Sequence, residues 1–272
     1  MKPSPIRKYL AVLSVGISRT MEYRVNMIAS SVLWTAISVF VQASVWKAVY
    51  YSSGGTIAGV SADTMLMYIV CASLCLSFTH SRNVERTAAE EIRNGELNKY
   101  LLKPISHLLY TFSASIADRA STVISTLVLS IAVAVPLTLY GIINLSAASC
   151  AVAVGFLLLD IVLRFLMSMM ITYIAFWLDE TWTFHVVLDI CLWFLSGMML
   201  PMSILPESVR RISDLLPFQF LAYIPAGLLS GSIPITDSWK LLLIATSWIL
   251  ILWAATMALW RRGIVKFGAY GG

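Results

Sequence analysis

The stretch ASTVISTLVLSIAVAVPLTLYGIINLSAASCAVAVGFLLL, residues 120–159, contains no charged side chain and decides the fold. A helix needs about 20 apolar residues to cross a bilayer, so this stretch is long enough for two crossings. Pro136 and the turn-forming residues near Gly141–Ser146 divide it. The stretch therefore predicts a hairpin of two membrane-spanning helices.

The composition of the whole chain points the same way. Of the 272 residues, 59% are hydrophobic and only 12% are charged, whereas soluble domains carry about 25% charged residues. So few charges cannot cover the surface of a soluble domain of this size, despite the net charge of +5. The composition excludes a soluble enzyme, a disordered chain and a nucleic-acid-binding module, and it predicts an integral membrane protein.

Six apolar stretches predict an all-α integral membrane protein with six transmembrane helices, because backbone groups in lipid must be satisfied within helices. The predicted spans are residues 25–46, 64–81, 120 to about 140, 147–177, 183–201 and 241–260. Lys and Arg are concentrated in the N-terminal segment, the loop after the second span and the C-terminal tail. The positive-inside rule therefore predicts that both termini are cytoplasmic.

The N-terminal segment, residues 1–24, has the pattern of a helix that lies in the membrane interface. Its apolar residues recur at helical spacing on one face, at Ile6, Leu10, Leu13, Ile17 and Met21. Basic residues accompany them, which is typical of interfacial helices. The alternative is an ordinary basic tail before the first span.

The loop of residues 82–110, RNVERTAAEEIRNGELNKYLLKPISHLLY, is predicted to be cytoplasmic and partly helical. Helix-forming residues lead to a turn at Asn94-Gly95, and a short amphipathic helix follows until Pro104 ends it. Such a segment is suited to docking in a groove of a soluble partner. The alternative is a solvated loop whose helix lies on lipid.

The segment of residues 198–238, between the fifth and sixth spans, is broken by five prolines. It is too polar for one span and too apolar to be free in water, so it predicts an external re-entrant or surface-lying helical hairpin. Pro206 is placed to begin a short helix. Such a segment is suited to sealing the outer end of a pathway, and the alternative is a structural cap.

Two motifs resemble those of permease subunits of type-2 ABC exporters. EEIRNGELNKYLLKPIS, residues 90–106, is similar to the coupling loop of that family, which has the pattern I-R-x-G-x-L…L-x-(R/K)-P-I. SGMMLPMSILPESVRRISDLLPFQFLAYIPAGLLSG, residues 196–231, is similar to the family's S-G…P…P…L-P-F…Y-P…G pattern. The subgroup that the chain resembles is that of small permeases for drugs, antibiotics or viologens.

The resemblance implies a transport subunit rather than an enzyme. It implies export of an amphiphilic or lipid-like substrate across the bacterial cytoplasmic (inner) membrane. It also implies two ABC ATPase subunits that hold ATP and Mg, and a second permease, identical or homologous. The chain contains no G-x-x-x-x-G-K-[ST] phosphate loop and is expected to hold no cofactor, metal or nucleic acid itself. The alternative function is a stand-alone secondary transporter or channel.

The resemblance also implies two sets of site residues. The first would couple to the ATPase, with the charges of Glu91, Arg93 and Glu96 at the rim of its groove and Ile92, Leu97 and Leu101 packing into it. The full coupling set is Glu90, Glu91, Ile92, Arg93, Asn94, Gly95, Glu96, Leu97, Tyr100, Leu101, Lys103 and Pro104. The second set would form an external gate and comprises Gly197, Pro201, Pro206, Pro217, Phe218, Pro225 and Gly231.

Charged residues within predicted spans are costly in lipid and are candidates for function. Asp160 and Arg164 are four residues apart, which favours a salt bridge between them over a substrate contact. His185 and Asp189 have the same spacing, which favours a hydrogen-bonded pair over a site for a cationic amphiphile or a proton relay. Arg119 is predicted to be an interfacial anchor.

Overall fold

The structure, a computed structural model, describes residues 5–22, 24–53, 56–57, 59–79, 83–139, 146–202 and 204–267. Its helices are α1 Pro5–Glu22, α2 Arg24–Ser52, α3 Ala62–Thr79, α4 Asn83–Arg93, α5 Asn98–Leu101, α6 His107–Leu139, α7 Ala147–Ile174, α8 Trp182–Leu195, α9 Glu207–Leu215, α10 Tyr223–Ser230 and α11 Ser238–Lys266. Two 3-10 helices, Pro217–Leu221 and Ile235–Asp237, flank α10. A two-stranded antiparallel hairpin, β1 Thr56–Ile57 and β2 Val60–Ser61, joins α2 to α3.

Three stretches among the described residues are long and apolar enough to cross a membrane: Ile28–Ser52, Ala147–Ile174 and Ile235–Lys266. A fourth crossing is formed if the two parts of α6, which meet at an angle of 41°, are taken as one span. The mostly helical membrane fold agrees with the sequence, while the number of six spans stays a prediction. The predicted turn near Gly141–Ser146 lies outside the described residues, except for Ser146.

The helix predicted for residues 183–201 is shorter than expected. It begins at Trp182 and ends at Leu195, because the chain turns at Gly197, whose φ is +81°. A side chain other than glycine rarely adopts this left-handed conformation. The fifth predicted span is therefore a 14-residue helix followed by irregular backbone.

The centre of the molecule is α7, which packs against α11, α10 and α4. Its second half is buried on nearly all sides, with Leu163, Met169 and Tyr173 fully buried. By contrast, α2 presents large apolar side chains outward, and Trp34 and Phe40 are 74% and 72% exposed. Helices that are apolar on an outward face are typical of a protein surrounded by lipid.

Several chain segments meet at one end of the bundle, referred to here as the basic end. The end of α11 reaches the start of α6 there, where Trp260 stacks on His107 with ring centroids 5.1 Å apart. In α1, the Lys8 amino group donates to the carbonyl of Pro104 over 3.2 Å. The Ser106 backbone N–H donates to the Tyr9 hydroxyl over 3.0 Å. The predicted N-terminal helix is thus fastened to the end of the predicted coupling loop.

Candidate coupling site and intramembrane ion pairs

The turn between α4 and α5 closes the helix in a way that needs glycine. Gly95 has φ of +74°, and the N–H of Glu96 donates to the carbonyl of Glu91 over 2.9 Å. The N–H of Gly95 donates to the carbonyl of Ile92 over 3.3 Å. These bonds form a Schellman motif, in which the left-handed residue after the helix satisfies its last carbonyls. The sequence-based expectation of a permissive residue at Gly95 agrees with this geometry.

One face of the coupling segment, residues 90–104, packs against the rest of this chain. Ile92, Leu97 and Tyr100 are 4%, 0% and 7% exposed and belong to the main hydrophobic core. The sequence analysis expected Ile92 and Leu97 to pack into an ATPase groove. The structure turns both inward instead, because the turn at Gly95 folds α5 back against the start of α6.

Glu91 is also engaged within the chain. Its carboxylate accepts hydrogen bonds from the Tyr100 hydroxyl over 2.8 Å and from the Lys99 amino group over 2.7 Å. Burial, and next the hydrogen bond to Glu91, raises the pKa of Tyr100. Burial acts to lower the pKa of Lys99, but its hydrogen bonds to Glu91 and Glu96 outweigh this and leave the pKa raised. Glu91, which was expected to place its charge at the rim of the ATPase groove, therefore joins α4 to α5.

The segment ends in an exposed tip, defined here as residues 101–104. Leu102 is 86% exposed and Leu101 is 47% exposed, and Lys103 and Pro104 are exposed beside them. The two adjacent leucines form a small apolar surface next to a lysine, and the exposure of this surface to water is unfavourable. Arg93 is less free than expected, because its guanidinium donates to the carbonyl of Asp179 over 2.6 Å. This bond places the turn between α7 and α8 beside the coupling segment.

The segment with the external-gate residues begins with a tight contact at Gly197. The Tyr68 hydroxyl of α3 donates to the Gly197 carbonyl over 2.5 Å, and the N–H of Tyr223 donates to the Ser196 carbonyl over 2.9 Å. A Cβ at Gly197 would lie 2.8 Å from the Cβ of Tyr223. The end of α8, α3 and α10 are therefore held together at one point.

The prolines of this segment begin its short helices. Pro206 precedes α9, and Pro217 is the first residue of a 3-10 helix. Pro225 is buried in the first turn of α10, and Gly231 ends that helix with φ of +75°. Two further predicted gate residues, Pro201 and Phe218, are buried and half-buried.

The stretch from the 3-10 helix through α10 is enclosed by the bundle. Phe220, Leu221 and Ala226 are 0% exposed, and α10 packs against α3 and α7. In contrast, α9 carries exposed charges, including the ion pair between Glu207 and Arg211. This gives an amphipathic surface helix followed by a buried helix, while a gating role for the segment stays a prediction.

The ion pairs between the apolar helices differ from those that the spacing suggested. Arg164 donates to the carboxylate of Asp189 on α8 over 2.5 Å, and not to Asp160. Asp160 is 0% exposed, and neither of its carboxylate oxygens has a hydrogen-bond partner among the described residues. His185 contacts the Ser168 hydroxyl at 3.4 Å. The two predicted i,i+4 pairs are therefore wrong, because the Arg164 side chain reaches the neighbouring helix instead.

A second buried ion pair was not expected from the sequence. Glu85 of α4 and Arg119 of α6 are 1% and 2% exposed, and their side chains approach to 3.3 Å. Arg119 is thus the partner of a buried carboxylate rather than an interfacial anchor. Nothing in the sequence analysis singled out Glu85, and its partner lies 34 positions away.

Two cavities adjoin α4. One of about 840 Å³ lies between α1, α4 and α6 and is lined mainly by apolar residues, among them Val12, Val15 and Ala114. The other, of about 300 Å³, lies between α4 and the turn before α8, and His185 is among its lining residues. Within the described ranges, no group of three or more His, Cys, Asp or Glu side chains could hold a metal ion.

These features place the chain in the class of multi-pass helical membrane proteins, with a structured loop between apolar helices at the basic end. The chain belongs to the ABC-2 family transporter proteins, whose family model matches residues 36–271. It is therefore a type-2 ABC permease, a membrane transport subunit that is not itself catalytic. Permeases of this family normally work with ABC ATPase subunits. No curated protein matches the chain.

Proposed function

We propose that the chain is the permease of an ATP-driven exporter that moves an amphiphilic or lipid-like substrate out of the cytoplasm. Two separate ABC ATPase subunits bind ATP and Mg and hydrolyse the nucleotide. A second permease, identical or homologous, completes the complex in the bacterial cytoplasmic membrane. Both termini of the chain lie on the cytoplasmic side.

The coupling segment is the observation that carries this proposal. Its buried face fixes it to the bundle, so a force on the tip moves the helices rather than a loose loop. Its exposed leucines offer a small apolar contact next to the positive charge of Lys103. A rigid base with an exposed apolar tip is what a groove on an ATPase subunit requires for docking.

An amphiphilic substrate is supported by the cavity between α1, α4 and α6. Its volume of about 840 Å³ falls in the range of small-molecule sites, roughly 300–1,000 Å³. Its lining combines apolar side chains with the charged groups of Arg19, Glu91 and Asp118. A molecule with an apolar body and a polar head suits such a lining.

The experiment changes both exposed leucines of the tip, with Leu101→Ser and Leu102→Ser in one variant. The permease is expressed with its ATPase subunits, and we measure co-purification and ATP-dependent transport of a fluorescent cationic amphiphile in proteoliposomes. Since the change removes an exposed apolar contact, we expect loss of co-purification and transport with unchanged thermal stability. Leu215→Ser on α9, where the leucine is 73% exposed, is the matched control.

Two outcomes would overturn the proposal. The first is an unchanged amount of bound ATPase in the tip variant, which would show that another surface docks the partner. The second is full transport by the purified permease without any ATPase or ATP. That result would favour a stand-alone secondary transporter or channel.

A further inference from the structure

Glu85 occupies an unusual position for an acidic residue of a cytoplasmic loop. It lies in the first turn of α4, yet its side chain is 1% exposed. It sits between α6 and α7, the two helices that α4 packs against most. A carboxylate enclosed in this way is retained in a fold only when hydrogen bonds and a partner charge compensate it.

Side-chain and backbone bonds of Glu85 reach two different helices. From α6, the Ser115 hydroxyl donates to its carboxylate over 2.9 Å and the Arg119 guanidinium approaches the same oxygen at 3.3 Å. From α7, the Thr172 hydroxyl donates to its backbone carbonyl over 3.0 Å. Both hydroxyl-bearing residues are 0% exposed. One residue therefore joins α4 to α6 and to α7.

The rest of α4 connects this junction to the tip. Arg93 follows Glu85 by eight positions in one continuous helix, a distance of about 12 Å at 1.5 Å per residue. The next helix, α5, is fixed to α4 by the bonds of Glu91 with Tyr100 and Lys99. The tip and Glu85 therefore belong to one unit of bonded helices.

The ion pair between Arg164 and Asp189 extends the connection to α8. Arg164 lies two turns before Thr172 on α7, and Asp189 is on α8. The hydrogen bond of Thr172 to the Glu85 carbonyl and the ion pair of Arg164 with Asp189 thus start from the same central helix. Any displacement of α4 that keeps its bonds intact moves α7 and, through the ion pair, α8.

We infer that Glu85 is the positioning residue through which the coupling segment moves α6 and α7 during the transport cycle. The inference rests on the proposed function, because it assumes that an ATPase moves the tip. Directional bonds from one carboxylate and one carbonyl fix the angle of α4 against two helices. Apolar packing alone would let α4 slide, since dispersion contacts are non-directional.

The test uses the permease purified in complex with its ATPase subunits and carrying Glu85→Gln. Glutamine keeps the size of the side chain and removes its charge, so the bond to Arg119 loses its ionic character. Hydrogen exchange is measured without nucleotide and after trapping with ATP and vanadate, separately for residues 93–104 and for α6 and α7. Glu207→Gln is the control, because that glutamate also pairs with an arginine but both side chains are 76% exposed.

For the wild type and the control we expect that nucleotide trapping changes exchange in the coupling segment and in α6 and α7. For Glu85→Gln we expect the change in the coupling segment to persist while that in α6 falls by roughly 2- to 30-fold, the range typical of coupling mutations. The change in α7 should fall less, because the backbone carbonyl of residue 85 still accepts from the Thr172 hydroxyl. A purely structural role would alter exchange in the nucleotide-free state but leave the difference between the two states intact. A wild-type difference in α6 for Glu85→Gln would overturn the inference.

A second variant covers the case in which Glu85→Gln does not fold. Ser115→Ala with Thr172→Val removes two hydroxyl donors and leaves the ion pair between Glu85 and Arg119 in place. We expect a partial reduction of the nucleotide-dependent change in α6 and α7, and a full wild-type response would contradict the inference. If the wild-type complex itself shows no nucleotide-dependent change, the proposed function fails, whereas equal responses of wild type and variants remove only the role of Glu85.

Discussion

At the residue scale, Gly197 combines a left-handed backbone with a crowded surrounding. Its φ is +81°, and an added Cβ would lie 2.8 Å from the Cβ of Tyr223. We expect Gly197→Ala to lower the free energy of unfolding by about 1–2 kcal/mol because of the backbone conformation. Overpacking should lower it by about 1–3 kcal/mol more. The measurement is the thermal unfolding midpoint of the purified protein in detergent.

Gly231 provides the matched control for this substitution. Its φ is +75°, but nothing lies within 4 Å of an added Cβ. Gly231→Ala therefore tests the effect of the backbone conformation alone, and we expect the free energy of unfolding to fall by about 1–2 kcal/mol. Equal losses at both positions would show that the contact with Tyr223 is not tight.

Asp160 and Asp189 are both aspartates of apolar helices, but they differ in their partners. A carboxylate without a partner in a medium of low dielectric is costly, while an uncharged amide of the same size is not. We expect Asp160→Asn to leave stability unchanged or raise it. Asp189→Asn removes the partner of Arg164, whose side chain is 9% exposed, and we expect a loss of about 1–3 kcal/mol.

The comparison of the two variants by thermal unfolding in detergent decides the question. Both substitutions are Asp to Asn, so the change in volume and hydrogen-bonding capacity is the same. A loss for Asp160→Asn as large as that for Asp189→Asn would mean that the carboxylate of Asp160 makes a stabilising interaction.

At the element scale, α1 lies close against α6. A Cβ on Gly16 would come within 2.5 Å of the Cβ of Ala117, so the two helix backbones approach more closely than larger residues would permit. We expect Gly16→Ala to push α1 away and to increase hydrogen exchange along α1. Measuring exchange by mass spectrometry also reports whether the bond from the Ser106 N–H to the Tyr9 hydroxyl survives.

Gly155 of α7 is the matched control, because nothing lies within 4 Å of a Cβ added there. Alanine favours a helix over glycine by about 1 kcal/mol, so Gly155→Ala is expected to stabilise the protein slightly. If Gly16→Ala stabilises it as well, α1 is not held by close packing at this position.

The elements were predicted from the sequence where a single segment carries the whole signal. The long apolar stretches locate α2, α7 and α11, and the Asn94-Gly95 pair locates the turn after α4. Periodicity also places Arg164 and Asp160 on one helical face, but it contains no information on which neighbouring helix that face meets. The pairs of Arg164 with Asp189 and of Glu85 with Arg119 depend on such packing, so they could not be predicted.

The inward orientation of Ile92 and Leu97 has the same cause. Both are apolar residues at helical spacing in an amphipathic segment, a pattern that suits an internal core and a partner's groove equally well. The choice between them depends on where the turn at Gly95 directs α5. Only Leu101 of the leucines expected to contact a partner is exposed in the structure.

At the scale of the whole molecule, the contacts separate two ends of the bundle. The basic end collects α1, the coupling segment, the turn before α8 and the end of α11. Other elements meet along α3. The β-hairpin contacts the start of α3, the Tyr68 hydroxyl of α3 donates to Gly197, and α10 packs against α3. This separation suits a subunit that receives movement at one end and carries it towards the other.

The separation also gives a prediction for the topology of the chain in the membrane. Leu102, Val265 and Tyr51 are 86%, 84% and 94% exposed, and single cysteines are placed at these positions after Cys71, Cys75, Cys150 and Cys191 are replaced by serine or alanine. Because the coupling segment and the end of α11 share the basic end, a membrane-impermeant maleimide should label Leu102→Cys and Val265→Cys only in inverted vesicles. Tyr51→Cys, beyond the first predicted span, should be labelled in intact cells. Labelling of Val265→Cys and Leu102→Cys from opposite sides would contradict the placement of both at one end, and with it an even number of crossings between them.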